Sequence, residues 1–130
     1  MKNSFFFFVI ATLITVVAGC GTTPASLFEK GNSLKASDKE KARSYFEQAC
    51  EKNHFEACHN AGLLWQKGDE ISEENTKARA FFRKACDGMY NESCIILADM
   101  WANGKGGVYK DSMSAFNLYK VLCDRGMGQG

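Results

Sequence analysis

The chain has 130 residues with sixteen Lys and Arg against fifteen Asp and Glu, a formal net charge of +1. That excludes the basic surplus of a nucleic-acid binder and the acidic excess of a solvating tail. With 45% apolar residues, one Pro and twelve Gly it is neither disordered by composition nor collagen-like, and its length suits one small domain.

Met1-Lys2-Asn3-Ser4 is a short, positively charged start, and Phe5 to Val17 follows as an apolar run broken only by Thr12 and Thr15. A run of that length suits the core of a secretory signal and falls short of the about 20 residues a membrane-spanning helix needs. It closes on Val17-Ala18-Gly19-Cys20, slim residues that a signal peptidase accepts, followed directly by a thiol. The arrangement resembles the bacterial lipobox, in which the Cys is acylated and becomes the first residue of the mature protein. The reading is a signal peptide over 1–19, lipidation at Cys20 and a lipidated tether over 20–26. Acyl chains, at about 0.8 kcal/mol per buried CH₂, hold such a protein on a bilayer. Gly21 in place of Asp after the Cys favours the outer membrane under that sorting logic. The expected location is the cell envelope, as an outer-membrane lipoprotein or a periplasmic protein, with secretion as the further option.

Beyond the tether the chain repeats. Lys41–Cys50 laid over Lys77–Cys86 is identical at six of ten positions at an offset of 36. The same offset carries Glu56 to Glu92, Cys58 to Cys94, Trp65 to Trp101 and Gly68 to Gly104. A third copy, from Ser114 to Cys123, lies 37 beyond the second, with the extra residue placed in the Gly104–Val108 loop. Each period predicts two helices. Ala78, Phe81, Phe82 and Ala85 share one face at i, i+3, i+4 and i+7, as do Ala57, Ala61, Leu64 and Trp65 in the partner segment. Gly68, Gly88 and Gly104 read as helix ends, and Asp38, Glu74 and Asp111 as one equivalent position at the start of the following helix. Two-helix units of this length cannot bury an apolar face alone, so they stack. The expected fold is all-α, a right-handed α-solenoid of helix-turn-helix repeats with a period of about 36. Leu27, Phe28 and Leu34 lead a degenerate half-repeat over 27–52. Full units follow over 53–91 and 92–130, the last C-terminally truncated.

Ala57-x-x-x-Ala61-Gly62-x-x-Trp65-x-x-Gly68, followed by Lys77-Ala78-x-x-Phe81-Phe82-x-x-Ala85-Cys86-x-Gly88, resembles the Sel-1-like repeat, a relative of the tetratricopeptide repeat. Ser93–Gly126 matches again through Gly104, Val108, Asp111, Ala115, Tyr119 and Gly126. Cysteines spaced by eight in each period look like the cysteine-rich branch of these repeats, the Helicobacter cysteine-rich proteins. On that resemblance Cys50 pairs with Cys58 and Cys86 with Cys94, across interhelical turns tight enough for a disulfide in an exported chain. The competing reading is zinc held by Cys50, Cys58, His54 and His59. The second period carries no histidine, so neither a metal nor another cofactor is expected. The equivalent partner of Cys123 would stand at position 131, past Gly130, which leaves an unpaired thiol. The chain then reads either as a truncated copy or as one that dimerises through Cys123 or an exposed C-terminal helix.

Members of that branch are described as β-lactamase-like or penicillin-binding, so the resemblance implies a β-lactam or peptidoglycan hydrolase as one reading. A serine β-lactamase needs Ser-x-x-Lys, which places an activating amine one helical turn from the hydroxyl. None of Ser26, Ser33, Ser37, Ser44, Ser72, Ser93, Ser112 and Ser114 has Lys three residues on. Lys-Thr-Gly, Ser-Asp-Asn and His-Glu-x-x-His are also missing from the sequence, and no catalytic residue is assigned. In tetratricopeptide-type stacks the first helix of each pair lines a concave groove. Transferred here, that groove comprises Glu56, His59, Asn60, Leu63 and Gln66, then Glu92, Ile95, Asp99 and Ala102. The expected partners are a protein or peptide ligand, and a membrane through the N-terminal lipid, but not nucleic acid. The expected function is binding at the cell envelope, with a truncated, weakly functional paralogue as the blander alternative.

Overall fold

The chain folds as three stacked helical pairs in a computed structural model that describes residues 22–127. The segment read as a signal peptide and Cys20, read as its lipidation site, lie outside the described residues. The first pair is α1 (Pro24–Leu34) and α2 (Lys39–Glu51), the second α3 (Phe55–Trp65) and α4 (Glu73–Asp87), and the third α5 (Asn91–Asn103) and α6 (Ser112–Leu122). A terminal turn over Cys123–Met127 follows, kinked at Gly126, whose φ is 81°. Each helix packs mainly on its neighbours in sequence, which is the all-α solenoid expected from the repeat. No strand occurs among the described residues, and no helix among them is long and apolar enough to cross a membrane.

Side chains at the helix starts take up backbone donors that the helices cannot satisfy themselves. Thr23 accepts from the Ser26 amide at 3.1 Å, and Pro24 occupies the first turn, where its missing N–H costs nothing. Pro24–Ser26, read from sequence as tether, are therefore helical, and residues before α3 form a whole pair rather than a half-repeat. Asp38 and Asp111 cap α2 and α6 as their shared position implied. Glu74 does not cap α4. Ser72 does, two residues earlier, and Glu74 sits inside the first turn. His54 caps α3 through Nδ1, 3.2 Å from the Ala57 amide.

The helix ends also correct two glycines, the first being Gly68, which is left-handed at φ 57° but lies two residues past Gln66, the residue that ends α3. Gly104 takes a left-handed conformation at φ 68° as read, whereas Gly88 is at φ −81° and the left-handed residue is Met89, matched by Asn53 one unit earlier. Gly88 is small because the Phe55 ring lies against it, 2.2 Å from where a Cβ would stand. Close approach also explains Gly31 and Gly62. A Cβ there would come within 2.6 Å of the Phe46 ring and 2.7 Å of the Phe82 ring, and both rings are fully buried. One core gathers Leu27, Phe46, Ala57 and Ala61, and a second gathers Phe82, Leu97, Met100, Val108 and Leu122.

Two bridges join the pairs to one another. Cys50–Cys58 ties the end of α2 to α3 with Cα atoms 4.7 Å apart, and Cys86–Cys94 ties α4 to α5 at 4.8 Å. At the opposite edge Asn75, 1% exposed, holds the α3–α4 loop. Its Oδ1 accepts the Lys67 amide at 2.8 Å, and its Nδ2 donates to Lys67 O at 2.8 Å and Glu70 O at 2.6 Å. Asp69 O in turn accepts the Gly107 amide at 3.2 Å, so the two long loops lie on one another.

Candidate functional site

The first helices of the second and third pairs present the face on which a ligand was expected. On α3 the six residues Ala57–Gly62 are all buried, because this helix has neighbours on both sides of the stack. His59 and Asn60, expected in an open groove, are 7% and 8% exposed and belong to the packing. What α3 leaves to solvent is Glu56 and, seven residues on, Leu63 at 40%. On α5 Glu92, Ile95 and Asp99 form an exposed stripe at i, i+3 and i+7. Gln66 and Ala102 are half-buried at its far end.

His59 is a junction residue. Its Nδ1 shares a hydrogen bond with Ser93 Oγ at 2.8 Å, and its ring packs on Tyr90 and Phe82 at 4.9 and 5.8 Å between centroids. Burial pushes its pKa below the ordinary imidazole range, against the pull of Glu92, whose carboxylate lies 3.8 Å from Nε2. Glu92 also accepts from the Tyr90 hydroxyl at 3.2 Å. Burial, followed by Glu92 and Glu56, pushes the Tyr90 phenol up. The same aromatic arrangement recurs one unit earlier, where Phe28 stacks on His54 at 4.4 Å and meets Phe46 at 5.8 Å. Tyr90 and Ser93 escaped the sequence reading, although an aromatic ring at both 54 and 90 in the shared register was the available signal.

Asp99 anchors the edge of the stripe by accepting the Tyr119 hydroxyl at 2.6 Å, which raises the phenol pKa and ties α5 to α6. Beyond it α6 exposes Met113, Phe116 and Val121, and Cys123 is a free, exposed thiol. The four side chains weighed as zinc ligands are used otherwise. Cys50 and Cys58 are bonded to each other, His54 caps α3 and His59 binds Ser93.

The tryptophans mark the other ends of these helices. Trp65 lies between the Arg43 guanidinium, 3.9 Å from its centroid, and the Lys77 ammonium at 4.5 Å, and its indole N–H donates to Glu47. The equivalent Trp101 has a buried Nε1 with no acceptor.

No curated protein matches the chain. Among solved structures it is similar to the Helicobacter pylori cysteine rich protein B, with 24% identity and a TM-score of 0.60 over 84% of this chain and 93% of that one, a likeness of fold. The Sel1 repeat matches at residues 24–54, 55–88 and 91–127, one match per helical pair. With three consecutive copies spanning most of its length, the chain belongs to the Sel1 repeat family.

Proposed function

We propose that this chain is an exported, lipid-anchored repeat protein that binds a protein or peptide at the bacterial cell envelope, through Glu56, Leu63, Glu92, Ile95 and Asp99. The observation that carries the reading is the exposed stripe on α3 and α5, which stays available after packing has claimed the rest of both helices. Three carboxylates and two aliphatic side chains on a stapled backbone suit an extended segment with basic and apolar residues. Repeats of this class generally mediate protein interactions. The two disulfides support export, because such bonds persist in oxidising compartments. Acylation of Cys20 supplies the anchor.

A photo-crosslinking amino acid placed in cells at Leu63 or Ile95 tests the binding face, with Ala80 on the outer face of α4 as control. Discrete adducts at the first two positions and none at the third are expected. Equal labelling at all three, or none, removes the reading. Replacing Cys20→Ser is expected to move the protein from the membrane to the soluble fraction. The exposed Met113, Phe116 and Cys123 favour a second contact, between two copies. A dimer on non-reducing electrophoresis that disappears in Cys123→Ser is its expected signature.

A further inference from the structure

Because the units repeat, each serves as a control for the next, and two departures from the repeat converge on one cavity. At the α2/α3 junction Glu47 accepts the indole N–H of Trp65. At the α4/α5 junction the equivalent of Glu47 is Arg83, and the equivalent indole of Trp101 is left without an acceptor. Within the second pair Gly88 packs against the Phe55 ring. Within the third pair the equivalent positions hold Arg125 and Asn91. The Arg125 guanidinium donates to Asn91 Oδ1 and Cys86 O, each at 3.2 Å, and lies 3.3 Å from Cys94 Sγ.

Each departure exchanges a satisfied or apolar contact for a cation, and each costs stability: an unmade indole hydrogen bond in one case, a half-buried charge among neutral acceptors in the other. Local rules broken at a cost mark functional positions. Among the described residues neither Arg83 nor Arg125 has a carboxylate within ion-pair distance. Arg83 and Arg125 both line a cavity of about 330 Å³ between α4, α6 and the terminal turn. Asn117 adds a donor, Leu118 and Val121 form an apolar wall, and Asp87 is its one carboxylate.

We propose that this cavity binds a small carboxylate of amino-acid type. The carboxylate lies between the Arg83 and Arg125 guanidiniums, whose planar forks match it bidentately. An ammonium or amide N–H faces Asp87, and a short aliphatic side chain rests on Leu118 and Val121. Asp87 repels a dianion such as phosphate, and the volume suits a small molecule. The site lies on the second helices of the pairs, so it stands apart from the α3/α5 stripe and does not depend on it.

The test is an NMR titration of the oxidised protein with valine, N-acetylvaline and inorganic phosphate. Saturable amide shifts at Asn117 and Val121 are expected with valine or N-acetylvaline, and phosphate binding at least about tenfold weaker. Preference for valine identifies a free amino acid as the ligand type, and preference for N-acetylvaline the free carboxyl terminus of a peptide. Arg83→Gln, at an exposed position, is expected to weaken binding about tenfold or more, as the loss of a charge-assisted pair implies. Arg125→Lys, which keeps the charge and loses the fork, is also expected to weaken it. Lys30→Gln on α1 is expected to bind as the parent does. Absence of saturable shifts with both amino-acid probes, unchanged binding in Arg83→Gln, or phosphate binding as tight as either probe would overturn the assignment.

Discussion

Replacing Asn75 tests whether one buried amide closes the edge of the solenoid. Its side chain makes three well-formed hydrogen bonds to the backbone of Lys67 and Glu70. At about 1 kcal/mol each, Asn75→Ala is expected to cost about 3 kcal/mol. For a chain of this size that lowers the melting temperature by about 12 °C or more. Asn75→Asp separates hydrogen bonding from packing. It keeps the acceptor for the Lys67 amide but turns a carboxylate oxygen toward the carbonyls of Lys67 and Glu70, so near neutral pH it should lose at least as much. Burial against carbonyl oxygens raises the folded pKa of that carboxyl above its unfolded value of about 3.9. The penalty is therefore full above the folded pKa and is relieved as pH falls through it, when the protonated acid regains a donor. Circular-dichroism melts of parent and both variants across acid to neutral pH measure this, with hydrogen exchange at Gly107 as a local readout because that amide bonds Asp69 in the same loop. An Asp variant within about 0.5 kcal/mol of the parent near neutral pH, or a gap that ignores pH, would refute the reasoning.

Reduction of the two bridges, each closing a sequence separation of eight, is expected to remove about 2.5 kcal/mol per bridge by the chain-entropy estimate, checked by urea unfolding with and without dithiothreitol. Gly62→Ala is expected to destabilise by about 1–3 kcal/mol, since its Cβ would stand 2.7 Å from the Phe82 ring, and Phe82→Leu in the same chain should recover part of the loss. Burial holds the pKa of His59 below the ordinary imidazole value of about 6.5, so the unfolded chain binds its proton first and stability falls as pH drops below about 6.5. His59→Phe, which copies Phe28 one unit earlier, should flatten that part of the profile in pH-dependent melts. Asp38 and Asp111 are held low mainly by hydrogen bonds to the capped backbone and to Ser114. Their contribution is present above the usual carboxylate range and lost in stronger acid, so Asp111→Asn should reduce the acid sensitivity of α6.

Much of this architecture was written in the period. The register of Lys41, Lys77 and Ser114 found the second helix of every pair, and cysteines eight apart found both bridges. The first pair was read as half a unit because its α1–α2 connection covers only 35–38, against 66–72 for α3–α4, so the register slips and Gly31 no longer aligns with Gly62. His59 and Asn60 were placed in the groove because the tetratricopeptide arrangement, in which first helices line the concave side, was transferred onto α3. The pattern cannot show that a central helix of a stack is covered on both sides. Asn75 carries no distinguishing mark in the sequence, and only the loop folded back over it reveals its purpose. The Arg83–Arg125 cavity joins positions far apart in sequence, and its signal was the difference between copies rather than their likeness.

The two tryptophans differ in surroundings although they occupy one place in the repeat. Trp65 is flanked by two cations and bonded through its indole, while the half-buried Trp101 keeps a buried, unbonded indole nitrogen at the next junction. No other tryptophan occurs in the chain. Intrinsic fluorescence therefore carries two native reporters, one quenchable by its charged neighbours and one sensitive to the entry of water. Selective removal of either assigns each optical signal to its own corner of the array without an attached dye.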